Sequence, residues 1–145
     1  MGCYTIPMLG NNYLLWENNE FIIKTPFSPH VPYSEGLHIV IVPKADIRTA
    51  WQDSDVSAEV FRLGAKICAI MEREEFAPWF NLQANGNFGV LPGETPFFHL
   101  HVYGRNKTER WGKPILLPEA KGAYSNDPMP EADRERLVEL FAREL

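Results

Sequence analysis

The run Phe98-His99-Leu100-His101-Val102-Tyr103-Gly104-Arg105 holds half of the chain's four histidines, two residues apart. It reads as a strand, and side chains on a strand alternate between faces. Phe97, His99, His101 and Tyr103 then share one face, while Phe98, Leu100 and Val102 form an apolar face that asks for a core. Two imidazoles side by side suit three kinds of chemistry. They can chelate a metal, although zinc needs further ligands. His30 and His38 are the remaining imidazoles, with no acidic or Cys residue at a familiar spacing beside them. They can be inert, hydrogen-bonded structural groups. Or one of them can attack phosphorus: a neutral imidazole is a good nucleophile once a hydrogen bond to its other nitrogen fixes the tautomer.

The neighbouring residues suit the third reading. A second imidazole can donate to phosphate oxygens where negative charge builds up. The amides of Asn81, Gln83 and Asn85 can do the same, as can backbone N–H groups of the glycine-rich run at 85–93. Arg105, Lys107 and Arg110 follow the histidines and supply positive charge that the composition lacks overall, since the net charge is −5. That balance argues against nucleic-acid and acidic-membrane partners.

The elements that must position these groups are legible in outline. Residues 13–16 and 20–24 are short strand-like runs, and Asn18-Asn19 between them suits a tight hairpin because Asn tolerates positive φ. Three prolines between Thr25 and Tyr33 rule out a central strand and predict an ordered loop carrying His30. Residues 37–42, β-branched and nearly all apolar, predict a strand buried on both faces. Asp53 or Ser54 can cap a long helix whose apolar stripe runs through Val56, Val60, Leu63, Ile67, Ile70 and Met71. Residues 79–84 read as a strand. The segment from 106 to 128 reads as an irregular tail, and a second helix starting at Pro130 buries Leu137, Leu140 and Phe141. Hairpin, strand, helix, strand, loop, strand is the order of an α+β domain, a mostly antiparallel sheet of about five strands with one long helix packed on it.

With 145 residues, 45% hydrophobic and 23% charged, the chain fits one compact domain. The two cysteines, Cys3 and Cys68, make neither a disulfide framework nor a metal-ligand spacing. No apolar run is long enough to span a bilayer and no leader is evident, so a cytoplasmic protein is expected.

The histidine strand resembles the signature of the histidine triad (HIT) family, His-φ-His-φ-His-φ-φ, which often ends in Gly-Arg. Residues 16–21 resemble the family's opening hairpin. His38-Ile39-Val40-Ile41-Val42-Pro43-Lys44 is similar to its strand ending in Pro-Lys, and Asn85-Gly86-Asn87 to its Asn-x-Gly loop. The likeness covers roughly residues 13–110, and a HIT-like domain is expected over 1–118, with the tail and helix of 119–145 in the same compact unit.

The triad is incomplete. Laid on the family's tail, His101 takes third place and His99 the middle, nucleophilic one, while Phe97 replaces the first histidine. A second register makes His101 the nucleophile and puts Tyr103 third. Phe97 is most simply a residue packed under the loop, and His38 a structural histidine of its strand. The family's acidic ribose-binding residue is missing from Thr25-Pro26-Phe27, and Asp46 stands where a histidine usually follows Pro-Lys.

The resemblance implies a hydrolase or nucleotidyl transferase acting at the α-phosphate of a nucleotide or nucleotide conjugate through a nucleotidyl-histidine. His101, Asn85 and Thr95, the last near the family's phosphate-touching Ser/Thr, would bind the phosphate, with Gln83 and Arg105 in support. It also implies a homodimer and no obligatory metal or organic cofactor. Two alternatives stay open: a nucleotide-binding protein whose incomplete triad no longer turns over, and a metal-dependent enzyme using the His-x-His pair.

Overall fold

The structure, a computed structural model, describes residues 8–106 and 124–145. Strands β1 (Asn12–Glu17), β2 (Phe21–Pro26) and β3 (Gly36–Pro43) precede helix α1 (Ser54–Arg73). β4 (Trp79–Gln83), one 3₁₀ turn at Asn87–Val90, β5 (Leu100–Arg105) and helix α2 (Glu131–Glu144) follow. One five-stranded sheet runs in the order β1-β2-β3-β5-β4, every neighbouring pair antiparallel. The α+β architecture expected from the sequence is the one observed.

The β1–β2 turn forms for a different reason than its asparagines suggest. Neither takes positive φ; among the described non-glycine residues only Glu75 does. Instead Asn18 Oδ1 accepts from the backbone N–H groups of Glu20 at 2.8 Å and Phe21 at 2.7 Å. This is the Asx-turn route to chain reversal.

Alternation along β3 and β5 builds the core. Leu37, Ile39 and Ile41 join Leu100 and Val102 in one buried cluster with Val60, Ile67, Ile70 and Met71 of α1. Each such side chain contributes roughly 1.5–3 kcal/mol by leaving water. Asp53 caps α1, its Oδ1 accepting from Asp55 N–H at 3.1 Å and Val56 N–H at 3.0 Å. Gly64 lets the helix lie close, since a Cβ there would stand 2.8 Å from Leu82 Cδ2 and 2.9 Å from Leu100 Cδ2. Leu137, Leu140 and Phe141 of α2 enter the same cluster.

Pro130 is the N-cap of α2, so the helix begins one residue later than expected. β5 likewise starts at Leu100, leaving His99 just ahead of it. Lys107, Arg110, most of the expected tail and the expected 118/119 boundary lie outside the described residues. Among the described residues no helix is long and apolar enough to cross a membrane.

Candidate active site

The face of the sheet turned away from α1 collects all four histidines. β5 supplies His101 and Tyr103, and His99 stands on the same face one residue before the strand. β3 supplies His38, paired in register with Tyr103, while Val40 of β3 pairs with His101. The prolines between β2 and β3 prevent a further strand, and this loop instead lays His30 on the cluster. The His30 ring stacks on Tyr124 at 4.1 Å between centroids and lies 4.3 Å from the His38 ring.

Hydrogen-bond logic orders the protons among these rings. The backbone N–H of His30 can only donate, and it reaches His38 Nδ1 at 3.2 Å. A neutral His38 must then carry its proton on Nε2, which lies 2.9 Å from His101 Nδ1. His101 Nδ1 accepts, so its own proton sits on Nε2, 3.0 Å from His99 Nε2. His99 Nε2 accepts in turn, and its remaining proton on Nδ1 donates to the carbonyl oxygen of Phe97 at 3.0 Å. One backbone donor and one backbone acceptor thereby set the tautomers of three imidazoles. The outcome is a lone pair on His99 Nε2.

Burial keeps these rings neutral. Loss of water, reinforced by the neighbouring histidines, lowers His101 to about 3 and His30 to about 4. His38, 2% exposed, is held well below its ordinary range by burial and then by His101, His30 and His99. His99 is also lowered by burial, while its bond to the Phe97 carbonyl pulls the other way. A neutral ring is the form that can attack or ligate.

A cavity of about 170 Å³ opens beside His99, lined among others by Arg48, Trp51, Asn85, Val90 and Phe97. The side-chain nitrogen of Asn85 is buried there without a hydrogen-bond partner. Such a donor is costly unless something accepts from it.

The other expected residues are placed unevenly. Gln83 pairs in register with His101 on the adjoining strand. Thr95 is exposed on the loop ahead of Pro96, outside the cavity lining. Arg105 is not brought to His99: it ends β5, roughly 20 Å along the chain at about 3.3 Å per residue, and donates to Asn81 Oδ1 at 2.7 Å. Phe97, expected under the loop, is 51% exposed and lies against the His99 ring at 4.7 Å.

Sequence reasoning named His30 and His38 only as possible metal ligands or structural groups, and did not single out Tyr124. His38 alternates with Leu37 and Ile39 in a strand that reads as buried on both faces, so its side is fixed only by the pairing with β5. His30 and Tyr124 carry no strand signal, because neither belongs to a periodic element. A fourth group, Lys24 of β2, pairs in register with Val40, which pairs with His101. It therefore lies on the histidine face; it is partly buried, and burial lowers its pKa.

No protein-family model matches the sequence, and no curated protein matches it. Solved structures do match. A histidine triad (HIT) protein from Sinorhizobium meliloti superposes with a TM-score of 0.66 at 17% identity, covering 93% of this chain and 90% of that one. One from Marinobacter aquaeolei gives 0.64 at 17% identity, covering 93% and 92%. A hypothetical histidine triad nucleotide-binding protein from Sulfolobus tokodaii gives 0.60 at 17%, covering 92% and 83%. The arrangement of sheet and helices is thus one shared over nearly the whole chain, and the fold is that of the histidine triad proteins.

Proposed function

We propose that the protein binds a nucleotide or nucleotide conjugate and transfers its nucleotidyl group to His99, then to water. The observation that carries this reading is the tautomer order: the Phe97 carbonyl holds the proton on His99 Nδ1 and leaves Nε2 as the nucleophile. A bound phosphate would take over the His101 Nε2–H that now points at His99, freeing the lone pair for in-line attack. The Nε2–P bond forms as the bond from phosphorus to an amine or phosphate leaving group breaks, and that group departs with the electron pair and takes a proton from water. Water then adds to phosphorus, the P–N bond breaks, its pair returns to Nε2, and one water proton goes to solvent.

The Asn85 amide nitrogen, buried beside His99 and unpartnered, supports a phosphate oxygen at that point. Lys24, on the same face, and Arg48 in the cavity wall supply positive charge beside His99 in a chain of net charge −5. His101 donates to the oxygen where charge develops. Gln83 stands beside it in register, and Thr95 would reach the phosphate from its loop. A pairing of two copies is part of the reading: among the described residues β4 is an edge strand and its Trp79 is 58% exposed. Light scattering tests it, with a monomeric mass overturning it.

The test of the chemistry is incubation with adenosine 5′-phosphoramidate and with a dinucleoside polyphosphate. Release of the nucleoside monophosphate by the wild type and its loss in His99→Ala is the expected result. Activity that survives this change and disappears in His101→Ala would move the nucleophile to His101. One observation favours a silent nucleotide-binding protein: Phe97 replaces the first triad ring. That reading wins where a nucleoside monophosphate raises the melting temperature and no donor is turned over.

A further inference from the structure

We propose that His30, His38 and His101 form a binding site for one zinc ion. One ring nitrogen from each lies within 4.8 Å of those of the other two. A tetrahedral zinc at about 2.0–2.1 Å from each nitrogen sets them roughly 3.3 Å apart. The closest pair, His38 Nε2 and His101 Nδ1, is already at 2.9 Å. Closure therefore asks for side-chain rotations of the order of 1 Å, chiefly of His30 on its loop.

The chemistry of the donor set selects the metal. Three imidazoles and no carboxylate or thiolate suit zinc and its transition-metal neighbours and not magnesium or calcium. Their burial keeps them unprotonated, as ligation requires. Among the described residues this is the only cluster of three or more His, Cys, Asp or Glu side chains able to share an ion, and the described cysteine, Cys68, has its thiol pushed up to about 12 by burial. The ligands come from the proline loop, β3 and β5, so this is not the His-x-His chelate that one strand suggests, and His99 stays outside it.

Support behind the ligands is also present. The proposed ligation is through His30 Nε2, which leaves Nδ1 on the Tyr103 hydroxyl at 2.8 Å; a hydrogen bond to the non-ligating nitrogen is what orients metal-binding histidines. Tyr124 stacks on the same ring. Three protein nitrogens leave a fourth position for water or a phosphate oxygen. With the ion between His38 Nε2 and His101 Nδ1, the His38 ring stays neutral by moving its proton to Nδ1, and the His30 N–H that now meets Nδ1 moves off with its loop, so zinc and the tautomer relay exclude each other. The site itself does not depend on nucleotidyl transfer.

The test uses the untagged full-length chain, stripped with a chelator and titrated with zinc by calorimetry, with bound metal counted by elemental analysis. One zinc per chain is expected. His30→Gln should weaken binding at least ~100-fold, since even supporting residues of metal sites are worth 10–100-fold, whereas His99→Gln should retain it. Cobalt(II) gives a readout that needs no variant: an intense visible spectrum of a tetrahedral nitrogen site, without a thiolate charge-transfer band. No stoichiometric zinc in the wild type, zinc that survives His30→Gln, zinc lost in His99→Gln, or a weak octahedral or thiolate cobalt spectrum would each overturn the site.

Discussion

The Nδ1 of His99 donates to the carbonyl oxygen of Phe97 at 3.0 Å, so the residue two positions before the proposed nucleophile acts through its main chain. Any residue provides that carbonyl. Phe97→His and Phe97→Ala are therefore expected to change the turnover of adenosine 5′-phosphoramidate by less than about tenfold, under ~1.4 kcal/mol in the barrier. A hundredfold gain on introducing histidine would show that the missing ring, and not the carbonyl, limits the site.

Asn85 places a buried, unpartnered amide nitrogen in the wall of the cavity beside His99. A lone buried donor costs about 1–3 kcal/mol in the free protein. Asn85→Ala should leave the melting temperature unchanged or raise it. The same change should lower kcat/KM about tenfold or more, the scale of losing a donor to developing charge. A variant that loses stability and keeps its kinetics would make Asn85 a structural residue of the loop.

Where the sequence is periodic, it proved readable. The alternation on β5 separates Leu100 and Val102 from His101 and Tyr103. Residues 37–42 of β3 are nearly all apolar and predict burial on both faces, so the side carrying His38 is fixed only by its pairing with β5. What escaped is whatever depends on how separate segments cross. His30 sits among prolines, and nothing local says that its backbone N–H meets His38 or that its ring meets Tyr103. Arg105 failed in the opposite way. Its charge and its place after the histidines suggested a phosphate contact, yet strand geometry carries it to the far end of β5 and onto Asn81.

Lys24 shares the histidine face, one strand beyond Val40 from His101. Its ammonium is partly desolvated already, so pairing with a phosphate costs little further hydration. Lys24→Met keeps the aliphatic stem and removes the charge. It should raise KM for a nucleotide donor about tenfold, with a smaller effect on kcat, and flatten the salt dependence of binding. Equal kinetics at low ionic strength would remove Lys24 from the site.

Close strand pairing beneath the histidines gives a stability prediction. A Cβ on Gly36 would stand 1.9 Å from the carbonyl oxygen of Gly104, in the ladder that carries His38 and His101. Backbone cannot yield there as a flexible side chain would. Gly36→Ala should cost about 3 kcal/mol or more, at the upper end of overpacking, and lower the melting temperature by roughly 6–12 °C. Gly10→Ala is the control. Unlike Gly36, Gly10 has positive φ, at 59°, and nothing lies within 4 Å of its added Cβ, so only the milder backbone strain of about 1–2 kcal/mol applies.

The neutral histidine cluster should make the fold acid-sensitive in a window set by its own groups. In the unfolded chain each imidazole titrates near 6.5, whereas in the folded protein His101 is held down to about 3 and His30 to about 4. Between those values the unfolded state binds more protons, so stability rises with pH there and is lost as pH falls. The contribution is complete above pH ~6.5. By pH 5, before most carboxylates titrate, the 7% exposed His101 alone would have lost on the order of 2 kcal/mol. Urea melts at pH 7.5, 6 and 5 should show a falling midpoint with an unchanged slope against denaturant. His101→Gln, which cannot be protonated, should be less stable at pH 7.5 but lose less on acidification. A wild-type midpoint that stays level from pH 7 to 5 would mean that these rings take up protons in the folded state, and with them the proposed order of tautomers would fail.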